Sequence, residues 1–288
     1  MNIKAYERIT ERITALLSQG TVPWHKPWRV TTELPRNLVT GKPYRGINVF
    51  LLMAMSYESP CWLTCRQANR LGGKIRKGEK ACPVVFWKRM EAEDTESAEQ
   101  QKKPPLLRLY YVFNVAQCDG LKAAPTPAQN GSFESIKPAE VVAQMPEPPG
   151  IKHGMAKAFY FPLEDTVCMP DRNRFDAEEA YYATLFHELV HSTGHEKRLK
   201  RASIMERNGY GSDPYCKEEL VAELGSAFLC GYAGIVERTI DNSAAYLEGW
   251  LKQLQNDRTL IVSAAGQAQK AADFILGRTF TESEVAHD

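Results

Sequence analysis

The chain has 288 residues, 43% of them hydrophobic and 25% charged, with a formal net charge of +1. That length suits one large domain or two ordinary ones, and it can bury a core without staples. Seven cysteines, an odd count without paired spacing, argue against a disulfide framework and for a reducing cytoplasm.

No stretch is long and apolar enough to span a bilayer, and Met1 to Arg8 lacks the apolar core of a signal peptide. The small net charge hides an asymmetry. Residues 1–90 hold 16 Lys and Arg against 5 Glu, or +11, whereas residues 91–150 carry −4 and residues 151–288 carry −6. A polyelectrolyte partner for the first third follows.

Apolar residues at helical spacing from Ile3 to Leu17 predict a helix over 2–18, stopped by Gly20. The Pro/Trp segment Val22 to Arg29 reads as extended, because each proline pushes its predecessor out of the helical region. Residues 49–57 predict a buried helix, 62–64 a short strand, 65–71 a short helix, and 72–80 a basic, glycine-punctuated loop or hairpin. Strands at 83–89 and 106–115 pair as a hairpin around a polar, flexible tip. The Pro-, Ala- and Gln-rich stretch 121–150 predicts a linker with a short helix near 139–143. Beyond it come short strands at 158–161 and 165–169, a helix over 176–195, another from Asp213 to Leu229, and two closing helices near 243–254 and 257–276.

The helix at 176–195 carries the chemistry. His187-Glu188-Leu189-Val190-His191 is an H-E-x-x-H motif, and residues four apart share a helix face, so both imidazoles can reach one metal ion. Glu188 lies about 100° round the helix, within reach of a water on that ion. Asp176 with Glu179 resembles a capping box, Tyr182, Leu185, Phe186, Leu189 and Val190 form an apolar stripe, and Gly194 is the helix stop. The bland alternative is two buried histidines with a chance glutamate between them.

A catalytic zinc needs a third protein ligand and an open position. Gly194-His195 resembles the metzincin continuation, but its histidine follows the glycine directly, so the spacing fails. Glu219 on the next helix is the expected ligand, with Glu223 four residues on supporting the first histidine's other nitrogen and Glu218 turned toward solvent. His195, Tyr210 and Tyr215 are candidates to steady an oxyanion. Such a site describes a zinc peptidase: the ion acidifies water and polarises a carbonyl, while Glu188 takes a proton and returns it to the leaving amine. One strand, 158–161 or 165–169, would offer its edge to an extended peptide.

In the basic third, Trp24, Trp28, Trp62 and Trp87 interleave with cations. Trp62 and Trp87 are assigned to the core, since aromatic rings usually pack inside. Trp24, Lys26, Trp28, Arg29, Lys42, Tyr44, Arg45, Lys74, Arg76, Lys77 and Lys80 are the candidate single-stranded-DNA contacts: cations meet phosphates and rings stack bases. No motif for reading a specific sequence is present.

Several segments together carry a family resemblance. They are Trp24 to Trp28, Asn37-x-x-Thr40-Gly41-Lys42-Pro43-Tyr44-Arg45-Gly46-Ile47-Asn48, Gly73-x-x-x-Lys77-Gly78-Glu79, Phe113-Asn114-Val115-x-Gln117, Asp165-x-x-x-Met169-Pro170, His187 to His195, and Glu218 to Glu223. The chain resembles the ArdC-type antirestriction proteins of conjugative plasmids over essentially its whole length. The resemblance implies a single-stranded-DNA-binding domain, of a kind shared with some plasmid primases, joined to a zincin-like metallopeptidase domain. It also implies protection of incoming DNA from restriction. The peptidase half is similar in plan to proteases that act on DNA-bound proteins, so the protein substrate is expected to be DNA-bound or restriction-related. The expected architecture is α+β: a small α+β domain over 1–120, a linker over 121–150 and a mostly helical domain over 151–288. It takes one divalent ion, zinc or else manganese, and no membrane.

Overall fold

The structure, a computed structural model, describes residues 3–24, 34–88, 106–121, 136–205, 213–235 and 244–278. Helix α1 (Ile3–Ser18) turns the predicted stripe inward, burying Tyr6, Ile9, Ile13, Leu16 and Leu17, and the chain leaves it at Gly20 with φ 73. Strand β1 (Arg36–Asn37), helix α2 (Ile47–Met53), strand β2 (Cys61–Leu63) and helix α3 (Cys65–Arg70) follow. Thr64 and Gln67 close a capping box at the start of α3. Strands β3 (Lys74–Ile75), β4 (Cys82–Lys88), β5 (Leu106–Asn114) and β6 (Cys118–Asp119) complete this half.

The four-stranded sheet runs β1-β2-β5-β4, with β3 and β6 paired beside it. The predicted hairpin forms one side of it, β5 inside and β4 at the edge, in register from Cys82 opposite Val112 to Lys88 opposite Leu106; the expected flexible tip, 91–105, lies outside the described residues. Trp62 is buried as expected, but Trp87 is 51% exposed. It stands near the end of β4, where the Tyr6 ring of α1 meets it edge-on.

The expected linker is in part a packed element. Helix α4 (Pro138–Ala143) buries Val141, and Met145 just beyond it is buried too. The Ile136 amide donates to the Tyr232 carbonyl. Strands β7 (Gly150–Lys152), β8 (Phe159–Phe161) and β9 (Thr166–Cys168) form a sheet in the order β7-β9-β8, parallel then antiparallel. The strand at 165–169 is therefore central and has no spare edge; the edges belong to β8 and to β7, which the sequence did not announce.

Helices α5 (Glu178–Ser192), α6 (Ala202–Met205), α7 (Asp213–Ala233), α8 (Ala244–Asn256) and α9 (Leu260–Ile275) follow. The expected capping box at Asp176 does not form: α5 starts after Ala177 with no side-chain cap, and Glu178 and Glu179 complement its N-terminal dipole instead. All five residues of the predicted apolar stripe are buried. From Leu220 to Cys230, α7 is buried on every side, because α5, α9, α4 and α6 all pack on it.

This is an α+β fold in which most of the buried apolar side chains, among the described residues, belong to one continuous core. The two halves meet inside it: the Phe50 ring lies 4.6 Å from that of Phe228, the Thr10 hydroxyl donates to the Arg258 carbonyl at 2.7 Å, and Arg45 pairs with Asp273.

Candidate functional site

Helix α5 presents His187 and His191 one turn apart, and α7 brings Glu219 opposite them. The His187 and His191 Nε2 atoms are 3.2 Å apart, His187 Nε2 is 3.4 Å from Glu219 Oε2, and His191 Nε2 is 3.6 Å from Glu219 Oε1. Among the described residues this is the trio able to hold a metal ion. A tetrahedral ion with bonds of about 2.0–2.1 Å separates its ligands by roughly 3.3 Å, so the observed spacings fit a divalent cation. The charge fits as well. Burial works against a proton on His187, yet Glu219, Glu188 and Glu223 hold its imidazole up at about 9. A site this rich in carboxylates favours a cation, whether proton or metal.

Glu188 is buried beside His187, at 8% exposure. Burial alone would raise the Glu219 carboxyl, but His187, His191 and the Tyr215 hydroxyl hold it below its usual range. Tyr215 thus sits on the candidate ligand itself.

Glu218 overturns an expectation. It is 4% exposed, and its Oε1 accepts a hydrogen bond from His191 Nδ1 at 3.2 Å. Arg201 grips the same carboxylate with two nitrogens, Nε at 3.0 Å and Nη2 at 2.6 Å, and the Ser203 hydroxyl donates to it. Burial pushes the Glu218 carboxyl up, but His191 and Arg201 pull it down to about 2. Glu218 supports the outer nitrogen of His191 and leaves its Nε2 to face the site, while the Glu223 carboxylate adds its charge to those that act on His187. Arg201 also donates to Thr193 Oγ1 and to the Val190 carbonyl, tying the end of α5 to α7.

His195 stands apart from the trio. Its Nδ1 accepts from the Lys197 amide at 3.3 Å and lies 3.9 Å from Asp165. Gly194 is not left-handed; a Cβ there would fall 2.5 Å from Ile204, so the glycine lets α6 approach. Arg198 anchors the same loop through Ser192, Glu147 and Asp165. Tyr210 lies outside the described residues.

The candidate DNA contacts separate into groups. Lys26, Trp28 and Arg29 lie outside the described residues. Trp24 and Tyr44 are buried at 2% and 5%, so neither ring is a surface platform. Arg45 is engaged by Asp273, and Arg76 by Glu79 and Asp119. Lys42, Lys74, Lys77 and Lys80 are exposed, the last three around the turn at Gly78.

A family model described as the N-terminal domain of anti-restriction factor ArdC matches residues 3–113, and one described as a zincin-like metallopeptidase matches residues 143–267. A protein of Escherichia coli named DNA primase TraC is 37% identical over 94% of this chain, which spans only 27% of that primase's length. The protein y4eC of Sinorhizobium fredii (strain NBRC 101917 / NGR234) is 34% identical, with 94% of this chain and 91% of that one covered. The metal-free crystal structure of the antirestriction ArdC protein from R388 plasmid is similar at a TM-score of 0.73 and 38% identity, covering 94% of this chain and 96% of that one. Its Mn(II)-bound form gives 0.72 at 37% identity, with 94% and 97% covered.

Proposed function

The chain belongs to the ArdC family of antirestriction proteins, and from that premise we propose that it binds single-stranded DNA without sequence preference and cleaves protein at a zinc centre held by His187, His191 and Glu219. The carrying observation is the convergence of three donor atoms at tetrahedral spacing beside a buried glutamate. The bound ion would supply an acidified water and a Lewis acid for the scissile carbonyl. Manganese, the ion in the relative from R388, is the alternative occupant.

The chain's own residues do the rest. Glu188 takes a proton from the attacking water and passes it to the departing amine. Glu218 and Arg201 hold His191 Nδ1, so that its Nε2 keeps one orientation. An extended substrate would add to the edge of β8, which packs on α5 and carries the exposed Phe159 and Phe161. The exposed cations Lys42, Lys74, Lys77 and Lys80, with the +11 charge of residues 1–90, support the DNA reading.

The test is cleavage of the protein itself and of a generic DNA-binding protein, with and without single-stranded DNA and zinc, in wild type and Glu188→Gln. Cleavage that needs zinc and Glu188 is expected. Full activity in Glu188→Gln sinks the peptidase reading, and absent cleavage with intact DNA binding leaves a protein that shields DNA. Binding of a poly-dT oligonucleotide should weaken steeply with salt; a flat salt response would refute non-specific phosphate binding.

A further inference from the structure

Between the β4–β5 hairpin and α9 lies a pocket of about 270 Å³ that the roles above leave unassigned. One wall carries the rings of Tyr44, Phe86 and Tyr110 in sequence, with Phe86 6.0 Å from Tyr44 and 5.6 Å from Tyr110. Phe86 and Tyr110 are half-buried, and both line the pocket. The opposite wall is α9, through Val262, Gly266 and Lys270. Lys42 and Lys270, both exposed, stand at the rim.

The polar groups of the walls are turned to each other. Asn37 and Gln67 exchange amide hydrogen bonds. Asn48 holds both the amide and the carbonyl of Val85. Gln269 accepts from the Gly46 amide and donates to Asp273, whose charge Arg45 answers. The pocket therefore offers flat aromatic surface and two lysines, and each of its four amides already engages both its oxygen and its nitrogen.

We propose that this pocket seats one unstacked nucleotide of a single DNA strand, its base against Phe86 and Tyr110 and its phosphate against Lys42 and Lys270. The chemistry selects that occupant. A planar ring gains about 1–3 kcal/mol by stacking on aromatic side chains whatever its edge groups, and lysines at a rim suit an anionic tail. The amides spend their oxygens and one N–H each on one another, on Asp273 and on the backbone, so stacking rather than edge recognition carries the binding. The proposal rests on the DNA-binding reading and gives it a place. It also puts the strand between segments matched by two different family models, because residues up to Val112 form one wall and Val262 and Gly266 belong to the other.

Gly266 gives the cleanest test, because a Cβ there meets nothing within 4 Å. A leucine at this helical position would grow into the pocket without removing any native group, and helix propensity favours the change. Full-length wild type, Gly266→Ala, Gly266→Leu and Phe86→Ala would be titrated with fluorescent poly-dT and poly-dA oligonucleotides, and with dTMP as the free nucleotide. Thermal unfolding of each variant is recorded alongside.

The expected result is a loss of at least about tenfold in oligonucleotide affinity for Gly266→Leu and Phe86→Ala, alike for dT and dA, with Gly266→Ala near wild type. Photocrosslinks from an iododeoxyuridine-bearing oligonucleotide should map to Tyr110 or its neighbours. Oligonucleotide binding that is unchanged in Gly266→Leu, with crosslinks elsewhere, would overturn the pocket while leaving DNA binding intact. Tight dTMP binding that Gly266→Leu abolishes, beside unaffected oligonucleotide binding, would make a free nucleotide the occupant and overturn the strand. No binding of any oligonucleotide by wild type would end both readings.

Discussion

Glu218 and Glu219 are neighbours in sequence with opposite tasks. Glu219 faces the Nε2 atoms of both histidines, and Glu218 holds Nδ1 of His191 from behind. Glu219→Ala should abolish stoichiometric zinc binding in calorimetry. Glu218→Gln should keep the site and lower its affinity by about 10–100-fold, the usual effect of losing a group that orients a ligand. Arg201→Leu would leave the Glu218 carboxylate buried without its main partner, a loss of about 3–5 kcal/mol, read as a fall in the unfolding midpoint. Acid gives the sign of the same interaction. The Glu218 carboxyl is depressed to about 2 from 4.5, so its contribution is present above 4.5 and lost as pH falls from there toward 2. The metal-free protein should lose stability across that window, and Glu218→Gln should flatten the loss. The motif residues were legible in the sequence because chemistry fixes their spacing. Glu218 was not: a helical wheel turns it away from Glu219, and the Arg201 and Ser203 groups that join His191 on its buried carboxylate arrive from a separate segment.

Among the elements, α5 and α7 must approach closely to bring histidines and glutamate together, and Gly225 permits it. A Cβ there would lie 2.7 and 2.8 Å from the Val190 methyls and 3.3 Å from its Cβ. Gly225→Ala gains about 1 kcal/mol of helix propensity, but overpacking typically costs about 1–3 kcal/mol. The expected outcome is a lower midpoint and weaker zinc binding, with both restored in part by adding Val190→Ala; unchanged zinc affinity in the single variant would remove Gly225 from this role. Helix positions were legible from apolar spacing, and the β4–β5 hairpin from alternation. Three features were not. The start of α5 ignores the side chains that looked like a cap. The exposure of Trp87 depends on where α1 stops covering β4. β7, three exposed residues of which the first is a glycine, becomes a strand because β9 lies alongside.

Across the whole molecule, the composition break at 121–150 suggested two bodies on a string, yet most of the buried apolar side chains, among the described residues, belong to one core. Phe50 on α2 packs on Phe228 of α7, and Gly46 reaches Gln269 of α9. Charge and composition record what a segment faces in solvent, not what it packs against, so this joint could not be read from the sequence. Calorimetry should give one cooperative transition. Phe50→Ala should lower it by roughly 10 °C, from a loss of about 3–5 kcal/mol at about 2–4 °C per kcal/mol. Two separate transitions, only one of them shifted by Phe50→Ala, would deny the common core.

A shared core also limits how such a gene can be shuffled. A crossover between the segment that carries Phe50 and Arg45 and the one that carries Phe228 and Asp273 would give each product a bare apolar face and an unmatched charge. Transfer into a new coding sequence favours the pair moved as one block. The TraC primase follows that pattern: its likeness runs through 94% of this chain in a single alignment, yet occupies only 27% of its own length.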